Sequence, residues 1–140
     1  MSAHTVYLEA SERTQDLLNI KWTLQSVGCA IASTWHEGEV SASALAFQRH
    51  LNARGVEQLR VCDCVVVICR KNDRAALELG MMAGFALASG LRVIWIGPPI
   101  QLLNDFRAFQ QFTTPEDFRK QIPNQMHSRS MSLTDGRLAA

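Results

Sequence analysis

The run Cys64-Val-Val-Val-Ile-Cys69 constrains this chain more than any other stretch. Its consecutive β-branched side chains restrict χ1 and favour extended backbone. A strand apolar on both faces has to be covered on both, which is the position of a central strand in a parallel sheet. The surrounding segments keep to that plan. Thr5-Val-Tyr-Leu8 reads as a first strand, with an exit loop from Glu9 to Arg13. From Thr14 the apolar residues Leu17, Ile20, Leu24 and Val27 recur at helical spacing, and Gly28 stops the helix. Cys29 to Thr34 reads as a second strand. A helical region capped by Ser41 or Ser43 follows, with Ala44, Phe47 and Leu51 inward. Beyond the central strand come a polar loop, Arg70 to Arg74, and a helix from Ala75 to Ser89. Next are a strand from Arg92 to Ile96, closed by Gly97-Pro98-Pro99, and an edge strand from Phe109 to Phe112. Thr114-Pro115-Glu116-Asp117 opens a last helix: a cap, a proline at the first position, then acids in the first turn. From Pro123 the sequence turns polar and aperiodic and reads as a flexible tail over 123–140.

Strands alternating with helices imply right-handed crossovers and a parallel sheet. The expected fold is therefore α/β, a flavodoxin-like (Rossmann-like) three-layer sandwich with five strands in the order 2-1-3-4-5, one domain over residues 1–122. A chain of 140 residues with 47% apolar and 19% charged residues can build such a core without disulfides or metal. The net charge of +1 gives no electrostatic case for duplex nucleic acid or an anionic membrane surface. The uncharged run from Leu79 to Leu91 is too short to cross a bilayer. Cys29, Cys62, Cys64 and Cys69 show no zinc-ligand spacing and read as small buried thiols, so no metal and no cofactor are expected. Reduced thiols and an N-terminus without a basic-then-apolar leader suit the cytoplasm.

In an open parallel sheet, ligands bind beyond the carboxyl ends of the strands, where the strand order reverses. That places the crevice between strands one and three. Ser11, Arg13, Asp73 and Glu78 converge there, with Trp35 and His36 at the side. Glu78 is the only charged residue from Ala75 to Ser89, on a helix apolar around most of its circumference and therefore expected to be largely buried. A carboxyl so placed is protonated, pairs or faces an open site, or it simply favours the helix dipole. Arg74 and Arg13 are candidates to hold a phosphate, or are solvated loop charges. Ser11 and Asp73 also suit helix caps. Trp35 suits stacking on a base or packing at the rim.

Leu77-Glu78-Leu79-Gly80, the small residues Ala83, Ala86, Ala88 and Gly90, and the strand from Val93 to Gly97 follow one another in a distinctive order. Before them, Gln58 to Asp63 leads into Val65-Val66-Val67. With Ser33-Thr34-Trp35 and Phe109 to Phe118, this order resembles the nucleoside 2-deoxyribosyltransferases and the related 2′-deoxynucleoside 5′-phosphate N-hydrolases over most of residues 5 to 122. The resemblance implies that Glu78 is a nucleophile attacking the anomeric carbon of a deoxyribose. It implies that Asp73 holds sugar hydroxyls or assists proton transfer, that Ser11 and Arg13 line the sugar or phosphate, and that copies of the chain self-associate. Two positions depart from the family pattern. The stretch Arg70 to Ala76 has neither glycine nor serine, and Glu9 stands where the family often has a small residue. These departures suit a second expectation, a non-catalytic nucleotide-binding or sensor module. A third is a glycohydrolase acting on NAD, because TIR-type domains share the architecture.

Overall fold

The computed structural model describes residues 4–12, 14–33 and 59–128. The elements are β1 (Thr5–Ala10), α1 (Gln15–Ser26), β2 (Ala30–Ile31), β3 (Cys64–Ile68), α2 (Ala76–Ala88), β4 (Arg92–Ile96), β5 (Phe109–Phe112) and α3 (Pro115–Ser128). The strands form one parallel sheet in the order β2-β1-β3-β4-β5. This is the flavodoxin-like α/β arrangement expected from the alternation of periods.

The valine run is the centre of the sheet. All five residues of β3 are buried, and the strand pairs with β1 on one side and β4 on the other, Val66 opposite Leu8 and Ile94. Asp63 ties the amino ends of these strands together. Its carboxylate accepts from the Thr5 amide at 3.2 Å, its own amide donates to Thr5, and its carbonyl accepts from Arg92. The aspartate before the strand thus has a structural task.

Thr14 caps α1, its hydroxyl accepting from the Leu17 amide at 3.2 Å, and Leu17, Ile20 and Leu24 are buried. The crossovers β1-α1-β2 and β3-α2-β4 leave the sheet centre in opposite directions. With the right-handed sense of such connections, α1 and α2 cover opposite faces, and α3 packs beside α1. Among the described residues no helix is long and apolar enough to cross a membrane. The four cysteines are buried, unbridged thiols. Burial, reinforced by the nearby Asp63 carboxylate, pushes Cys29 up to about 11 and Cys62 up to about 12. Burial and Asp73 push Cys69 up to about 11.

Three boundaries and one burial pattern differ from the sequence reading. β1 extends to Ala10, so Glu9 is fully buried inside a strand and is not part of the exit loop. β2 is only two residues long, because the ladder passes from backbone to side chain: the Leu8 amide donates to the Ser33 hydroxyl at 3.0 Å. The last helix runs on through Pro123 to Ser128, past the boundary placed at 122. Pro123 has no amide to donate to the Arg119 carbonyl, and the preceding turn is anchored by fully buried Phe118 and Ile122. Finally, α2 buries Leu79, Met82, Ala83 and Ala86 but leaves Leu77, Met81 and Phe85 exposed at 74%, 62% and 61%. A helix laid on a sheet turns only one side to it, and the outer side of α2 is apolar too. The second helical region and the residues of the tail beyond 128 lie outside the described residues.

Where β4 ends, Gly97 closes against the end of β3. Its amide donates to Phe112 at 2.8 Å, and a Cβ on Gly97 would fall 2.2 Å from the Cys69 carbonyl oxygen. Its φ of +154° adds backbone strain for any other residue. Gly97→Ala is expected to lower stability by about 1–3 kcal/mol, the range for overpacking, measured as a denaturant midpoint shift at unchanged slope.

Candidate functional site

The loops leaving β1 and β3 meet at the carboxyl edge of the sheet, where the strand order reverses. They enclose an open cleft of about 330 Å³ lined by Ser11, Glu12, Arg70, Lys71, Asn72, Asp73 and Arg74. Its position follows from the register. β1 ends at Ala10 opposite Ile68, so the first loop residue of each strand emerges at the same level.

Asp73 holds the cleft together. Its side chain is 1% exposed and both oxygens are engaged. Oδ1 accepts from the Ala75 amide at 2.9 Å. Oδ2 accepts from the Arg70 amide and from the Ser11 hydroxyl, both at 3.1 Å. The Arg70 guanidinium lies 3.5 Å away. The loop turns tightly at Asn72, with φ of +59°, a conformation asparagine tolerates better than most residues. Burial by itself would raise the pKa of Asp73. The two amides, the Ser11 hydroxyl and the Arg70 charge together outweigh it and hold the carboxyl below its ordinary 3.8. A carboxylate so committed is a loop clasp and a poor proton donor at neutral pH.

Arg70 crosses the cleft from the β3 side. Besides Asp73 it reaches the Ser11 hydroxyl at 3.2 Å and the Glu12 carboxylate at 3.5 Å. Lys71 and Arg74 are exposed on the same rim. Among the described residues, no three His, Cys, Asp or Glu side chains group so as to hold a metal ion.

Ser11, Asp73 and Arg74 are therefore gathered at one cleft, as the sequence suggested, and the first two are in contact. The reading of Ser11 as a helix cap is replaced, since Thr14 caps α1. Glu78 is half-buried in the first turn of α2 and does not line the cleft. It lies on the flank of the helix, three and seven residues before exposed Met81 and Phe85 and four before buried Met82. Arg13, Trp35 and His36 lie outside the described residues. Sequence reasoning passed over Glu12 as a site residue and took Arg70 only as part of the basic loop at the crevice, not as a residue with a role of its own. The signal for Arg70 was its place directly after the central strand, at the switch point.

Compared with known protein families and with curated proteins, the chain gives no match.

Asp73→Asn is expected to loosen the cleft and lower stability by about 2 kcal/mol at pH 7, the range for hydrogen bonds to a charged group. Because the folded-state pKa is lowered, the contribution of the carboxylate is complete above pH 3.8 and is lost as pH falls through the folded value. The stability difference between wild type and variant therefore narrows below pH 3.8, which acid-to-neutral denaturation curves of the pair would measure.

Proposed function

We propose that this protein cleaves or transfers the N-glycosidic bond of a 2′-deoxynucleoside or its 5′-monophosphate, with Glu78 as nucleophile. The observation that carries the reading is the polar cleft at the switch point, followed within one helical turn by the only charged residue of α2. The motif around Glu78, with its resemblance to nucleoside 2-deoxyribosyltransferases and 2′-deoxynucleoside 5′-phosphate N-hydrolases, supplies the chemistry. A carboxylate beside the anomeric carbon stabilises the oxocarbenium character of the transition state and then bonds to it as the base departs. Water, or a second base, attacks the glycosyl ester and restores Glu78. Two displacements at one carbon retain its configuration. In this reading Asp73 does not donate the proton taken up by the leaving base. It holds Ser11 and the Arg70 backbone where sugar and phosphate would lie.

A second reading, a binding module of the same fold, is favoured by one observation: Glu78 stands outside the lining of the cleft, which is made of loop cations and their partners. Incubation with deoxynucleosides, their 5′-monophosphates and NAD, followed by chromatography of free base, separates the two. Base release that falls at least about a thousandfold in Glu78→Ala, roughly 4 kcal/mol of transition-state stabilisation, is the expected result. Thermal stabilisation by a nucleotide that is not consumed would establish the binding module instead.

The same proposal includes self-association through the outer side of α2. Leu77, Met81 and Phe85 are spaced four residues apart, so a two-fold crossing at Met81 sets Leu77 against the Phe85 of a second copy. Gly80 and Gly84 have open space where a Cβ would stand, which lets a second helix approach closely. Sedimentation should show a dimer in the wild type and a monomer of unchanged circular dichroism in Met81→Glu/Phe85→Glu.

A further inference from the structure

The Arg70 guanidinium touches three acceptors and holds none of them closely. Ser11 Oγ is at 3.2 Å, Glu12 Oε1 at 3.5 Å and Asp73 Oδ2 at 3.5 Å. A guanidinium well paired with an oxyanion sits at about 2.7–2.9 Å, often through two parallel N–H bonds. The side chains of Arg70 and Glu12 are 47% and 39% exposed, so their single long contact is screened and contributes little. Asp73 is already turned to the loop amides and Ser11. Lys71 and Arg74 stand exposed on the same lining, so the cleft presents three cationic side chains against Glu12 and the committed Asp73.

We infer that Arg70 is the specificity-determining residue of this cleft, that it selects a ligand carrying a phosphate monoester, and that Glu12 holds the place of that phosphate in the empty protein. The inference rests on the nucleotide reading above and narrows it to the 5′-monophosphate. A phosphate monoester brings a charge of about −1.5 to −2 and three acceptor oxygens at neutral pH. It offers the planar guanidinium fork a bidentate partner, which the single oxygen of Glu12 at 3.5 Å does not. Glu12 belongs to the loop after β1 and is part-exposed, so swinging it outward breaks no buried contact. Lys71 and Arg74 add charge without fixed geometry. Arg70 therefore distinguishes a nucleotide from its nucleoside, while Glu12 weakens the binding of both phosphate and nucleotide by competing for the same donors.

The test is calorimetric titration of the full chain with 2′-deoxynucleoside 5′-monophosphates, the matching deoxynucleosides and inorganic phosphate, for wild type, Arg70→Gln and Glu12→Gln. The monophosphate is expected to bind at least about tenfold more tightly than its nucleoside, from the gain of charge-assisted bonds. Arg70→Gln should bring that ratio close to one, and Glu12→Gln should raise the affinity for the monophosphate severalfold. Unchanged melting temperatures of both variants would show that the loop is intact, and Arg70→Lys, which keeps the charge without the fork, should recover only part of the ratio. Tight binding of inorganic phosphate alone would identify the anion itself as the ligand and overturn selection of a nucleotide. Equal affinities for nucleotide and nucleoside, a ratio that survives Arg70→Gln, or no binding at all would also overturn the inference. Base release from nucleosides and monophosphates at equal kcat/KM would keep the glycosidic reading and remove this one. Selective binding of monophosphates without base release would do the reverse.

Discussion

The backbone of β3 has no water to bond to, and the rest of the molecule answers that requirement. All five of its residues are buried, so each amide and carbonyl needs a partner from a neighbouring strand. β1 and β4 supply them in parallel register, and parallel pairing in turn requires a crossover for each strand. The crossovers bring α1 and α2 onto the two faces. They also leave the carboxyl ends of β1 and β3 side by side with their connections departing in opposite directions, which opens the cleft between the two loops. The polar site is thus a by-product of satisfying the least polar strand in the chain.

The loop that walls this cleft is held by one carboxylate doing the work of several groups. Asp73 takes two backbone amides and a hydroxyl from the opposite loop, and so joins segments far apart in sequence. Gly97 lies close to the residue before that loop, where a Cβ would collide with the Cys69 carbonyl. Arg70 is consequently presented from a stiff base with a loosely engaged head group, a combination that suits capture of a ligand at modest cost in ordering.

The fold was legible because its signals are periodic and local. The β-branched run marked β3, the three-and-four spacing of Leu17, Ile20 and Leu24 marked α1, and Thr114-Pro115 marked the start of α3. Other features depend on groups distant in sequence and were not legible. Nothing local says that the Ser33 hydroxyl will replace a strand carbonyl, or that Glu9 will be buried within β1. The apolar composition of α2 suggested burial all round, yet only the side facing the sheet is covered among the described residues. At the site, the meeting of Ser11 with Asp73 followed from topology. The grip of Arg70 across the cleft did not, because side-chain reach is a property of the folded loop. The position of Glu78 on a helix flank could be placed by counting, but its separation from the lining of the cleft could not.

The burial of four protonated thiols along and beside the central strand has a further consequence. Thiolates are the reactive form, and raised pKa values keep their population very low at neutral pH. Thiol-directed reagents in solution therefore find little thiolate to attack while the sheet is closed. Opening of the sheet around β3 would restore ordinary reactivity to Cys62, Cys64 and Cys69 together. The chain carries its own chemical clock for the loss of its core, read out in alkylated cysteine without any added label site.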